Sequence, residues 1–267
     1  MEIIGVDAGG SLLKIAYVEQ EQYQYKLFPI DEMDQVLSWI KMLKPSVFYK
    51  ITGGRAAKVK EKLPCSNAAV IPEFDSVCIG AKELLIQEKK RIKNDFLIVS
   101  MGTGTSFFLM KGERYERLFG SGIGGGAISG LGRLMLQEHS FQQIVALAEK
   151  GDRSHVDLLV KDLYENGQPP IPGDLTAANF GKPDVSKAGK EDIAAALFQF
   201  IGETTVLLSM LFARQHQVDT CVYVGGAISN NSPLQHVIQS FDSMVGLQSI
   251  FLQNGSFAGA VGAILYH

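Results

Sequence analysis

An acid set beside glycine-rich turns is the first group in this sequence whose type and spacing suit chemistry. Asp7 stands in IIGVDAGGSLLKIAYVEQ, residues 3–20, where an apolar strand pattern runs into Asp-Ala-Gly-Gly-Ser and then resumes. Small residues give up side-chain packing, so the main chain there can come close to another group. A phosphate with its metal suits such a place. Main-chain N–H groups bind its oxygens, while a carboxylate beside it is tolerated when a divalent cation lies between them. Asp7 is thereby predicted to stand on the magnesium side, acting through coordinated water. Ser11 and Thr103 can hydrogen-bond phosphate oxygens, and Lys14 can neutralise charge if it faces the same cleft.

Three apolar strands end alike: IIGVDAGGS, LIVSMGTGTS and CVYVGGAIS. In open α/β sheets ligands collect at the carboxyl ends of strands, so three such ends define one candidate cleft. The densest glycine run, FGSGIGGGAISGLG at 119–132, formally contains GxGxxG at Gly120, Gly122 and Gly125. That dinucleotide fingerprint needs a helix and then a second parallel strand, whereas residues 131–149 keep a helical pattern. The reading preferred here is a loop entering a helix near Gly126, whose free N–H groups and helix dipole seat an anion or nucleotide.

The elements that must carry these turns follow from periodicity. Strands are predicted at 2–7, 11–19, 23–30, 46–52 and 67–72. Between them lie a helix with Met33, Val36, Leu37, Ile40 and Leu43 on one face, capped by Asp31, and a short basic helix near 55–62. A helix from Asp75 to about Lys90 directs Val77, Ile79, Leu84 and Leu85 inward, and the charged tail 88–95 reads as a linker. The plan then restarts with three strands in 96–119, helices at about 126–138 and 140–149, and a polar, turn-rich stretch at 152–189. A long apolar helix at 190–215, a strand at 220–224, a helix after Pro233 and the small-residue helix AGAVGAIL complete it. Repetition of one plan predicts a duplicated α/β architecture with its seam near residue 95.

Bulk properties agree with an ordinary globular chain of 267 residues, 46% apolar and 20% charged. The net charge of −3 gives no electrostatic reason to expect nucleic acid or an anionic membrane. No run is read as approaching the roughly 20 apolar residues of a membrane helix, and no leader is expected. Cys65, Cys78 and Cys221 are widely separated, which suggests buried reduced thiols in a cytoplasmic protein.

With DAGGSLLK, GTGTS, the IGGG loop, VGGAIS, IPEFDS and PGDLTAANFGK together, the chain resembles the type II pantothenate kinases of the acetate and sugar kinase/Hsp70/actin superfamily. The resemblance runs the whole length. It implies two actin-like (ribonuclease H-like) domains, 1–95 and 96–267, with ATP in the cleft between them and the last helix able to pack back on the first domain. Asp7, Ala8, Gly9, Gly10, Ser11, Leu12, Leu13 and Lys14 would form the first phosphate loop, and Thr103 would lie in the second. Gly124, Gly125, Gly126, Ala127, Ile128, Ser129, Phe141 and Ser229 would line the adenosine side.

The family's base falls on Glu73 of IPEFDS, which would accept the proton of the pantothenate primary hydroxyl as the γ-phosphoryl group transfers. This suits the residues, because the apolar strand 67–72 delivers the carboxylate to the same edge as the phosphate loops. Asp75 is the better cap for the helix that follows. Arg117 matches the arginine that holds the substrate carboxylate, a task for a planar fork. The implied activity is ATP- and Mg2+-dependent phosphorylation of pantothenate by a homodimer joined through 190–215 and 152–189. A sugar kinase of the same superfamily and a nucleotide-gated sensor or activator remain the rival readings.

Overall fold

The computed structural model describes residues 2–43, 47–64, 67–164 and 167–267. Two five-stranded mixed sheets repeat one plan. In the first, β1 (Ile3–Ala8), β2 (Leu12–Glu19) and β3 (Gln22–Pro29) form an antiparallel meander. On the other side of β1, β4 (Phe48–Thr52) and β5 (Ala68–Val70) add in parallel, giving the order β3-β2-β1-β4-β5. In the second, β6 (Phe96–Met101), β7 (Thr105–Lys111) and β8 (Arg114–Ser121) make the meander. A two-stranded ribbon of β9 (Leu158–Leu159) and β10 (Thr176–Ala178) intervenes. Then β11 (Thr220–Val224) and β12 (Gln248–Phe251) complete the order β12-β11-β6-β7-β8. The duplication predicted from sequence is present strand for strand.

The helices cover these sheets, and their faces explain the sequence pattern. α1 (Met33–Leu43) buries Met33, Val36, Leu37 and Ile40 under the first sheet, next to α2 (Ala56–Glu61). α4 (Gly125–Leu136), α5 (Phe141–Ala148), α6 (Lys190–His216) and α7 (Ser232–Ser240) pack on the second sheet, followed by the short α8 (Asp242–Val245). Strands β1, β6 and β11 read as continuous apolar runs because they are covered on both faces; all five residues of β11 are buried.

Between the sheets lie α3 (Glu73–Gln87) and α9 (Ala258–Leu265), in a core shared by both halves. It joins Ala16 of the first sheet to Ile98, Phe108 and Val222 of the second through Cys78, Ala81, Leu84, Ala260 and Val261. The two helices approach main chain to main chain. A β-carbon on Gly80 would collide with the Ala258 carbonyl, one on Gly262 with the Ser76 carbonyl, and one on Gly5 of β1 with the Ala260 carbonyl. Lys50 then ties down the end of α9 by donating to the carbonyls of Ile264 at 2.9 Å and Tyr266 at 2.5 Å.

Several expectations are corrected by these packings. α3 begins at Glu73 rather than Asp75, with Pro72 at its N-cap position and no side-chain cap. Asp75 does not cap, because its carboxylate accepts the Tyr115 hydroxyl instead. Asp31 lies inside a 3-10 turn, Ile30–Glu32, and makes no cap for α1. The inward stripe of α3 is Ser76, Cys78, Gly80, Ala81, Leu84 and Leu85, with Ile79 only half-buried, since the small residues must meet α9. β12 and the β9–β10 ribbon carry too few apolar residues to stand out in the sequence.

α6 also departs from expectation: its length and a mean hydropathy of 1.6 over 18 residues would suffice for a membrane span by composition alone. Half of that window is buried inside the fold, and Leu207 and Leu211 stay about half exposed on one side. Cys78 and Cys221 are buried free thiols. The readings of Cys65 and of the Leu43 side chain fall outside the described residues and side chains.

The backbone contact of α3 with α9 leaves no room for a methyl group. Gly262→Ala is expected to cost at least about 1–3 kcal/mol, the usual range for overpacking. A urea midpoint equal to that of the unsubstituted protein would show that the helices can part without loss.

Candidate active site

Three strand ends meet above the shared core. The turn after β1 and the turn after β6 face each other, for a β-carbon on Gly10 would stand 2.9 Å from Thr103 Oγ1. The end of β11 closes from the third side: Gly226 lies where a β-carbon would be 3.7 Å from Lys14 Cε and 3.6 Å from Leu12 Cδ1. Gly225 makes that turn possible with φ +105°, and any side chain there would meet the Met101 backbone. Ser11, Gly10 and Thr103 are exposed, so the mouth between the turns is open to solvent.

Asp7 and Lys14 form the floor. They are directly opposite across the β1–β2 ladder, and Lys14 Nζ donates to Asp7 Oδ2 at 2.9 Å with both side chains nearly nine-tenths buried. Two glycines make room for the carboxylate. A β-carbon on Gly53 would come within 2.7 Å of Asp7 Oδ1, and one on Gly259 of α9 within 2.9 Å of Oδ2. Gly53 also needs φ +91°, which ordinary side chains resist. The carboxylate is thus held among backbone atoms and paired with the Lys14 ammonium.

Glu73 opens α3 at the edge of this floor. It is exposed toward the cleft, yet packing around its carboxyl raises its pKa first, and the negative charge of Asp7 raises it further. Lys14 acts in the opposite sense. These three charged groups therefore feel one another. Arg117 of β8 lies over the next residue along α3, with Cζ 4.8 Å from the centre of the Phe74 ring. That is cation–π distance, and it presents an exposed guanidinium beside the residue that follows Glu73.

The glycine-rich loop behaves differently from expectation. The N–H groups of Gly125 and Gly126 donate to the carbonyls of Gly102 at 2.9 Å and Thr103 at 2.8 Å. They are not free to seat an anion. Glycine at 124–126 instead lets the loop lie against the turn after β6, where added β-carbons would sit within about 3 Å of residues 102–104.

Side chains of Ala8, Leu13 and Ile128 are fully buried in the core, which leaves them no side-chain surface for a ligand. Ala127 packs against the core half-buried, and Ser129 lies two residues further along α4, also half-buried. Gly9 closes its own turn by donating to the Leu12 carbonyl at 3.0 Å. Phe141 packs half-buried at the start of α5, behind a Ser140 cap that accepts from Gln143. Ser229 donates to the Gly225 carbonyl at 3.0 Å and so braces the third turn.

Sequence reasoning passed over Gly53, Gly226, Gly259 and Phe74 as site residues. The glycines were visible, but the carboxylate and lysine they admit come from distant strands. Phe74 carried no local signal at all. Among the described residues no cluster of three His, Cys, Asp or Glu side chains could hold a metal ion. The donor set fits magnesium only in the form where phosphate oxygens and water supply most ligands and one carboxylate, Asp7, helps to hold it.

The Fumble family matches residues 3–266. A type II pantothenate kinase of Oceanobacillus iheyensis is 42% identical over 266 residues, covering 99% of both chains. One from Staphylococcus saprophyticus is 34% identical over 265 residues, covering 98% of each.

Among solved structures, the activator of 2-hydroxyisocaproyl-CoA dehydratase from Clostridium difficile, with bound ADPNP, superposes at TM-score 0.62 and 14% identity, covering 100% of this chain and 94% of that one. A ROK family glucokinase from Streptomyces griseus, in complex with glucose and AMPPNP, does so at TM-score 0.59 and 14% identity, covering 98% of each. At such identity these two establish only the fold, two lobes each built on a mixed α/β sheet. The family match and the curated relatives, each spanning nearly the whole chain, make this protein a member of the Fumble family, with the type II pantothenate kinases as its relatives.

Proposed function

We infer that this protein transfers the γ-phosphoryl group of ATP to the primary hydroxyl of pantothenate, giving 4′-phosphopantothenate, the first step of coenzyme A synthesis. The observation that carries the reading is one carboxylate, Glu73, set beside the Asp7–Lys14 floor, with a guanidinium held over the ring of the residue that follows it. A phosphate donor, an alcohol and an anchoring carboxylate are what such a site could hold together. The curated relatives bear the name of that activity.

In this reading the exposed turns 9–11 and 102–104 bind the triphosphate through Ser11, Thr103 and main-chain N–H groups. Lys14 lies under them and neutralises phosphate charge. Asp7 would hold Mg2+ through water, and the ion would supply charge neutralisation on the phosphates. Gly124–Ser129, Phe141 and Ser229 border the adenosine side, acting through shape and backbone where their side chains are buried. Arg117 pairs with the pantothenate carboxylate through its planar fork. Glu73 accepts the hydroxyl proton as the oxygen attacks phosphorus and the β–γ bridging bond breaks, leaving ADP. Phosphoryl transfer of this kind depends more on placement than on base strength.

The reading also takes the domain boundary at residue 95, between the two sheets, and assigns the enzyme to the cytoplasm as a homodimer. The half-exposed Leu207 and Leu211 on α6 support the dimer, since they line one side of a long helix whose other side is core. Sedimentation should then give twice the 29.1 kDa chain mass; a strictly monomeric mass would rule the dimer out.

Pantothenate-dependent ADP release, with no comparable release on adding glucose, tests the function itself. Glu73→Gln is expected to lower kcat by about 10²–10⁴-fold, the usual range for a general base. Only the ionised carboxylate accepts a proton, and its pKa is raised by burial and by Asp7, so activity should fall with decreasing pH at an inflection above that of an ordinary glutamate. That acid limb should be missing from Glu73→Gln. Arg117→Ala is expected to raise the pantothenate KM about 10–100-fold while leaving the ATP KM unchanged.

A further inference from the structure

Arg117 occupies a weakly constrained place in its sheet. β8 is an outer strand, paired with β7 on one side only. Its register also slips at the site, because Phe108 faces Arg117 while Phe107 faces Phe119, leaving Leu118 as the extra residue. A bulge of this kind bends a strand and re-aims the side chains next to it. An exposed arginine at a bulge on an outer strand has no fixed direction unless something outside the sheet supplies one.

The first turn of α3 supplies it twice. Phe74 offers its ring to the guanidinium at 4.8 Å. Tyr115 stands two residues before Arg117, hence on the same face of β8, and its hydroxyl donates to Asp75 Oδ1 at 2.7 Å. The Tyr115 ring meets Phe108 edge-on at 5.8 Å, and Phe108 meets Phe74 at 5.5 Å, which closes a ring of contacts around the joint. Burial and this hydrogen bond both push the Tyr115 hydroxyl well above its ordinary pKa, so it remains a donor throughout the working range. Glu73, Phe74 and Asp75 are consecutive in one helical turn. Whatever holds Asp75 therefore also fixes the backbone from which the Glu73 carboxylate projects relative to β8.

Building on the pantothenate kinase reading, we propose that the Tyr115–Asp75 hydrogen bond is a clasp that sets the span between the Glu73 carboxylate and the Arg117 guanidinium. Tyr115 and Asp75 are then positioning residues, and the clasp selects an acceptor whose hydroxyl and carboxylate are separated by that span. Neither residue touches the reacting atoms. Their effect passes through Arg117 on one side and Glu73 on the other.

Tyr115→Phe keeps the ring and removes only the donor. Its pantothenate KM is expected to rise about tenfold with an unchanged ATP KM, as for loss of one charge-assisted hydrogen bond. In an Arg117→Ala background the same change should alter the pantothenate KM by less than about twofold, because the span needs both ends and its carboxylate-binding end is gone. An equal penalty in both backgrounds would make Tyr115 a support of the fold and overturn the clasp, as would no penalty in the otherwise unchanged enzyme. Asp75→Asn retains an acceptor oxygen and should show a smaller rise with the same dependence on Arg117; it carries the test if Tyr115→Phe does not fold. An unsubstituted enzyme with no pantothenate-dependent ADP release would sink the functional reading and the clasp together. Turnover by that enzyme with Tyr115→Phe indistinguishable from it would sink the clasp alone.

Discussion

Main chain meeting main chain is the constraint on which this structure rests. At Gly5, Gly80 and Gly262 the second atom layer is a backbone carbonyl, and a single methyl group would overlap it. These contacts draw α9, the last helix of the chain, down between β1 and α3. Interiors are packed closely enough that such a seam cannot give by an ångström without disturbing its neighbours. The seam is therefore a fixed reference for everything above it.

The candidate site inherits that rigidity. Gly259 belongs to the same helix, and its missing side chain leaves the space in which the Asp7 carboxylate sits. α3 leaves the seam at its other end to present Glu73, Phe74 and Asp75 in one turn. Lys14 is opposite Asp7 in the ladder, so its position follows from the register of β1 and β2 rather than from side-chain searching. Charge sits where the backbone is packed most closely. The Arg117 strand is the exception, being an outer strand with a bulge, and the contacts from α3 are what relate it to the rest.

Much of this was legible in the sequence because strand ends carry a strong signal. Apolar runs stopping at Gly-Gly or Gly-Thr-Gly placed β1, β6 and β11 and the turns after them, and the repeat of three strands plus crossover gave the duplicated plan. What stayed hidden was the partner of each small or polar group. Glycine at 125 and 126 suggested free amide donors, yet tertiary packing pairs them with Gly102 and Thr103 carbonyls. Asp75 had the chemistry of a helix cap, but Tyr115, 40 residues away, claims its carboxylate and the helix starts at Glu73 after Pro72. Ile128 sat within a plausible nucleotide loop and turned out to face the core. Phe74 looked like any exposed aromatic until β8 brought Arg117 over its face. Local pattern identifies elements and close approaches; it does not say which distant group arrives.

The central claim is that turns from both sheets grip one triphosphate beside Glu73. A crystal structure of the protein with a non-hydrolysable ATP analogue and pantothenate tests it most directly. The account expects the phosphates between residues 9–11 and 102–104, and the Glu73 carboxylate within about 3 Å of the pantothenate primary hydroxyl. A nucleotide bound away from these turns, or an acceptor hydroxyl out of reach of Glu73, would contradict it.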